Sequence, residues 1–138
     1  MRTRLSIAVA GVGIMLAAGP VLAHHAFSAE FDANQPLSLR GTVTKTEWIN
    51  PHSWVYVDVK SPDGKAVTWA IECGAPNALL RRGWNKNSLP IGTEIVIDGF
   101  RAKNGSTTAN AKNITLPDRR KMFVGSSGTG APGDVPGR

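Results

Sequence analysis

Between residues 54 and 73, apolar side chains recur at every second position. Val55, Val57 and Val59 share one parity, and Trp54, Tyr56 and Asp58 share the other. A period of two marks a strand with one face buried. Ser61-Pro62-Asp63-Gly64 then reads as a turn. Beyond it, Val67, Trp69, Ile71 and Cys73 lie on one face, with Thr68, Ala70 and Glu72 on the other. The two runs predict a hairpin with Val55, Val57, Val67, Trp69 and Ile71 facing the core.

The flanking segments extend this pattern. Leu37 to Trp48 is a long strand rich in Thr and Val, and Gly41 inside it suggests a bulge or sharp bend. Glu94 to Arg101 is a fourth strand with Ile95 and Ile97 facing in. Lys103-Asn104-Gly105-Ser106 turns the chain into a fifth strand, Thr107 to Leu116. One segment carries a good helix signal. Pro76 fits a first helical turn, Ala78, Leu79 and Arg82 follow at helical spacing, and Gly83 suits the left-handed position that closes a helix. The predicted fold class is therefore all-β: a small five-stranded OB-like barrel with one short helix between strands 3 and 4. A long, bent first strand suits that barrel, because it serves both halves of the sheet. A plain β-sandwich is the alternative, and it would not need a helix in that place.

The ends of the chain look different. Arg2 and Arg4 precede an uncharged, mostly apolar run from Leu5 to Ala18, and Gly19-Pro20-Val21-Leu22-Ala23 follows. This is the layout of a secretory signal peptide, with Val21 and Ala23 as the small residues read at cleavage. A membrane anchor is the competing reading, but the run is short against a span of about 20 residues, and Pro20 breaks it. Residues 1–23 are thus expected to be removed, which leaves His24 as the new N-terminus and sends the protein to the periplasm or outside. Residues 24–36 read as an extended segment, with a helical turn allowed around Phe27 and Phe31 and ended by Pro36. Residues 37–123 form the folded domain. Residues 124–138 are rich in Gly and Pro, nearly free of large apolar groups, and predicted to be a disordered tail.

Composition narrows the function classes. Arg2 and Arg4, two of the 16 basic residues, leave with the signal, while all 10 acidic residues stay, so the formal charge falls from +6 to +4. The remaining basic residues are scattered, which argues for solubility and against nucleic acid as a partner. Cys73 is the one cysteine, so no internal disulfide can form. Its parity points it to the core, where a thiol behaves as a small hydrophobe.

Several short motifs stand out: His24-His25-Ala26-Phe27, Trp48-Ile49-Asn50-Pro51-His52, Trp69 with Ile71-Glu72, Arg82-Gly83-Trp84, Gly99-Phe100-Arg101-Ala102-Lys103-Asn104-Gly105, and Gly125-Ser126-Ser127. On these the chain resembles a family of small exported bacterial proteins, classed as a domain of unknown function. The resemblance covers nearly the whole mature chain. It implies export and an OB-like barrel, and it brings no reaction with it.

Chemistry must therefore come from the residues. The histidines are His24, His25 and His52. An N-terminal His can chelate one metal through its free amine and its own Nδ1, and a further imidazole completes a three-nitrogen arrangement. Nitrogen ligands in a tetragonal set suit Cu(II), which also leads the affinity order of divalent metals. The amine, with an ordinary pKa of about 7.7–8.0, must lose its proton to bind. The expected metal residues are thus His24, His25 and His52, and copper is the expected cofactor. Against this, a His at a cleavage site can be incidental, and the usual zinc spacings are absent.

Four tryptophans are many for this length. Trp69 falls on the inward face, while Trp48, Trp54 and Trp84 are expected partly at the surface. Trp54, Tyr56, Thr68 and Glu72 share an outer face on the second and third strands, where OB barrels bind ligands. That face gives the alternative function, a metal-free module docking on an envelope protein or small ligand. It competes with aromatic residues merely covering the barrel. No nucleophile elbow, phosphate loop or paired-His protease motif is present. A copper-dependent oxidoreductase is the one enzymatic reading left open. The leading expectation is an exported, non-catalytic binding protein.

Overall fold

The structure is a computed structural model that describes residues 27–126. His24 and His25, the signal segment and residues 127–138 lie outside the described residues. After a helical turn at residues 27–30, the chain forms β1 (Phe31–Glu47), β2 (Trp54–Lys60), β3 (Ala66–Glu72), α1 (Pro76–Arg81), β4 (Glu94–Ala102), β5 (Thr108–Thr115) and β6 (Lys121–Phe123). The sheet order is β3-β2-β1-β4-β5-β6, and a parallel pairing of β3 with β5 closes the first five strands into a ring. The described fold is all-β, and the short helix between β3 and β4 stands where the sequence predicts it.

The ring depends on the length of β1. Its first part pairs with β4 from Phe31 to Thr42, and its second part pairs with β2 from Thr42 to Glu47. A register shift between Val43 and Lys45 accompanies the change of partner. Gly41 lies just before it, where an added Cβ would stand 3.0 Å from both Asp58 O and Val57 Cβ. Glycine is needed here for close backbone approach. The strand begins at Phe31, earlier than the expected Leu37. Pro36 does not end an element. It is accommodated inside β1, paired with Phe100 just after a register shift that separates it from Phe31.

The interior follows the alternation. Val43, Val55, Val57, Ile71, Ile95, Ile97 and Ile114 are buried together with Cys73. Val67 and Trp69, expected inside, are only half-buried. The reason is topological: β3 meets β5 only from Ala70 to Glu72, so the turn end of the hairpin projects beyond the ring. Trp69 instead receives the Arg101 guanidinium, 5.6 Å from its ring centroid. Trp84 departs the other way. It is 2% exposed, because α1 folds back over the end of the ring and the Trp84 indole N–H donates to Phe123 O at 2.9 Å.

The C-terminal end of the domain also extends past expectation. β6 pairs with Asn113–Thr115 of β5, and Val124 packs into the core at 2% exposure. The ordered chain thus runs beyond residue 123. Arg82 fastens it, donating to Gly125 O at 2.9 Å while its guanidinium lies over the Phe123 ring.

Candidate functional site

The end of the β2–β3 hairpin nearest β5 carries a polar cluster on its outer face. Three backbone facts create it. Trp54 pairs with Glu72, Glu72 pairs with Asn110 across the parallel junction, and Asn110 pairs with Phe100. His52 lies two residues before Trp54 and so keeps its parity. Its Nδ1 is 3.4 Å from Glu72 Oε1. The same oxygen accepts a 3.0 Å hydrogen bond from Asn110 Nδ2. Glu72 and Asn110 are 7% and 1% exposed, whereas His52 remains about a third exposed.

The bond from Asn110 fixes the orientation of its amide, since the reversed orientation would set two acceptors against each other. Asn110 Oδ1 is then buried with no hydrogen-bond partner. Burial pushes the Glu72 carboxyl above the ordinary carboxylate value, while the His52 ring and the Asn110 bond pull it back down. Glu30, in the helical turn before β1, adds a further upward push. That turn reaches the cluster's neighbourhood because Phe27 packs on Phe31 and edge-on to Phe100, at ring separations of 5.8 and 5.6 Å.

The residues expected to form a recognition face do share the outer side of β2 and β3, spread along its length. Tyr56 lies opposite Ala70 in the middle, and Thr68 lies opposite Asp58 near the turn. Both hydroxyls have a partner within the chain. The Tyr56 hydroxyl donates to Glu47 Oε2 at 3.1 Å, and the Thr68 hydroxyl donates to Asp58 Oδ1 at 2.7 Å. Burial, followed by this bond to Glu47, raises the Tyr56 pKa. Trp54 also borders a cleft at the end of the ring, with Trp48 and Trp84. Among the described residues, no group of three or more His, Cys, Asp or Glu side chains converges as a metal site. Cys73 is fully buried and its thiol is pushed far up by desolvation, so it is an inert core residue.

Asn110 and Glu30 were not among the residues singled out from sequence. Asn110 sits in an ordinary strand pattern, and only the parallel β3–β5 junction brings it to Glu72.

These features define a small all-β domain with a buried carboxylate–amide pair behind one accessible histidine. No helix among the described residues is long and apolar enough to cross a membrane. The chain belongs to the family described as "Family of unknown function (DUF6152)", which matches residues 12–111. No curated protein and no solved structure matches the chain.

Proposed function

We propose that this is an exported small binding protein that holds Cu(II) through the His24 amine, the His24 ring and a further imidazole from His52 or His25. The observation that carries the reading is the Glu72 carboxylate set against His52 Nδ1 and anchored by Asn110. Metal-binding histidines commonly turn one ring nitrogen to a carboxylate, which fixes the ring and leaves the other nitrogen for the metal. Here Glu72 faces Nδ1, so Nε2 is the nitrogen left for a ligand role. The position of Phe27 supports the rest. It packs on Phe100, whose ladder partner is Asn110, and His24 precedes it by three residues. Three residues of extended chain reach about 10 Å.

The test uses mature protein with an authentic His24 N-terminus. Intact mass of the periplasmic form should correspond to a chain lacking residues 1–23. Cu(II) titration should then give one equivalent bound. One extra residue before His24 should weaken binding by more than tenfold, because it separates the amine from its ring. His52→Ala should weaken it if His52 supplies the third nitrogen, and His25→Ala if the site is local. Glu72→Gln should cost roughly 10–100-fold, the usual effect of losing a supporting carboxylate. Unchanged copper affinity after the N-terminal extension would rule out the chelate.

A further inference from the structure

The two connections at the α1 end of the ring carry an unusual surface. One joins β1 to β2 over residues 48–53, and the other runs over residues 73–93 and contains α1. They meet around a cleft lined by Trp48 and Ser53 from the first and by Leu79, Trp84 and Leu89 from the second. Among the described residues, the large apolar side chains that stand exposed are Ile49, Leu80 and Ile91, at 54%, 54% and 77%. All three belong to these connections. Each sits within two residues of a side chain that lines the cleft: Ile49 follows Trp48, Leu80 follows Leu79, and Ile91 lies two beyond Leu89. The inner member of each pair packs on the core, and the outer one meets water.

Charge follows the same division. Arg81 and Lys86 are exposed and Arg82 is half-buried, while neither connection contains an Asp or Glu. The carboxylates that flank the connections are engaged within the chain: Glu47 with Lys45, Glu72 with Asn110, and Glu94 with Arg40. The far end of the β2–β3 hairpin is different. Its turn pairs Asp63 with Lys65 and exposes no large apolar side chain. The cleft has room for about one water molecule, so it offers no pocket for an anchoring side chain. Protein interfaces centre on such pockets. Separate apolar tips set among cations suit instead the surface of an anionic bilayer. There, apolar side chains enter the headgroup boundary and basic ones meet lipid phosphates.

We propose that this end of the ring docks on an anionic lipid surface, with Ile49, Leu80 and Ile91 entering the headgroup boundary and Arg81 and Lys86 meeting the phosphates. The apolar tips supply the hold, and the cations select the lipid. This inference goes beyond the copper reading, and it uses no histidine and no metal.

The probes are vesicles of phosphatidylcholine alone and vesicles of phosphatidylcholine and phosphatidylglycerol in equal parts, mixed with the mature protein and a chelator. Co-sedimentation reports binding, and thermal melting reports folding. The mixed vesicles should bind roughly tenfold or more tightly than phosphatidylcholine. Arg81→Gln combined with Lys86→Gln should remove most of that preference, at about fivefold per charge. Ile49→Ser combined with Ile91→Ser should weaken binding to the mixed vesicles by roughly tenfold. Both double variants should melt with the parent, since all four side chains are exposed. Lys60→Gln, about 20 Å away along β2 and so beyond the screening length, should change binding by about twofold or less. Equal affinity for the two kinds of vesicle would overturn the proposal. So would binding to neither, which would leave the surface to a protein partner. A loss in the charge variant with none in the apolar variant would overturn it too, because simple adsorption of a basic protein needs no apolar tips.

Discussion

Glu72 and Cys73 are consecutive at the end of β3 and face opposite environments. On the outer side, Glu72 belongs to a buried polar network with Asn110 and His52. On the inner side, Cys73 and Ser53 belong to an apolar wall under three tryptophans. Each side holds one buried atom without a partner, Asn110 Oδ1 outside and Ser53 Oγ inside. The two are not equivalent. Asn110 also serves Glu72 through Nδ2, so its removal strips a buried carboxyl of a donor. Ser53 serves no other side chain, so its hydroxyl is a cost to the folded state.

The largest test asks whether the inner side is core at all. Val57 is fully buried on the parity of Val55. Val57→Asp should abolish cooperative folding, because an unpaired carboxylate there has no compensation. A cooperative melt near that of the parent would mean that the inner and outer faces have been exchanged, as a one-residue slip would do.

Next, the two orphan atoms should respond with opposite signs. Asn110→Ala should cost about 1–3 kcal/mol, the usual price of leaving a buried polar partner unsatisfied. Ser53→Ala should be neutral or stabilising by up to about 1 kcal/mol. Chemical denaturation of both variants checks this, and destabilisation of equal size would erase the distinction between the two sides.

A smaller effect is expected from pH. Burial holds the folded-state pKa of Glu72 above its ordinary value, so the folded protein binds that proton more tightly than the unfolded chain. The stability from this group is present below the ordinary carboxylate value and is lost as pH rises through the raised folded value. Glu72→Gln should flatten that part of the stability profile in a pH series of melts. A stability that instead climbs over the same window relative to Glu72→Gln would reverse the assigned shift.

The smallest effect lies away from both sites. Lys121 of β6 pairs with Asp98 of β4 at 2.7 Å across the intervening β5. Its hydrogen bond holds the Asp98 carboxyl below its ordinary value, with help from Ser38. Both side chains are partly solvated, so Lys121→Ala should cost under about 1 kcal/mol. That contribution should fade as pH falls through the lowered Asp98 value. A loss confined to this size would show that β6 is held mainly by Val124 and its neighbours.

Much of the fold is written in local pattern. The alternation of Val55 and Val57 against Trp54 and Tyr56, the turn at Ser61–Gly64, and the helix start at Pro76 all arise from preferences within a few residues. The same parity placed His52 with Glu72's face and Cys73 in the core. What the pattern misjudged lies at junctions. Pro36 looked like a boundary because a proline usually ends a regular element, yet an irregular stretch of β1 accommodates it. Val67 and Trp69 kept the inward parity but lost full burial, because the neighbouring strand stops short of them. Trp84 and Val124 are buried by segments far from them in sequence.

The sequence by itself determined five of the six described strands, the parity of their faces, the position of the helix between β3 and β4 and the candidate histidines, because a two-residue or four-residue period reflects which side of one element meets water. Only the tertiary structure decided that Asn110 stands behind Glu72, that Ser53 lacks a partner, and that three tryptophans gather over it. Those facts depend on the parallel closure of β3 onto β5 and on α1 folding across the end of the ring, long-range contacts that no local period encodes.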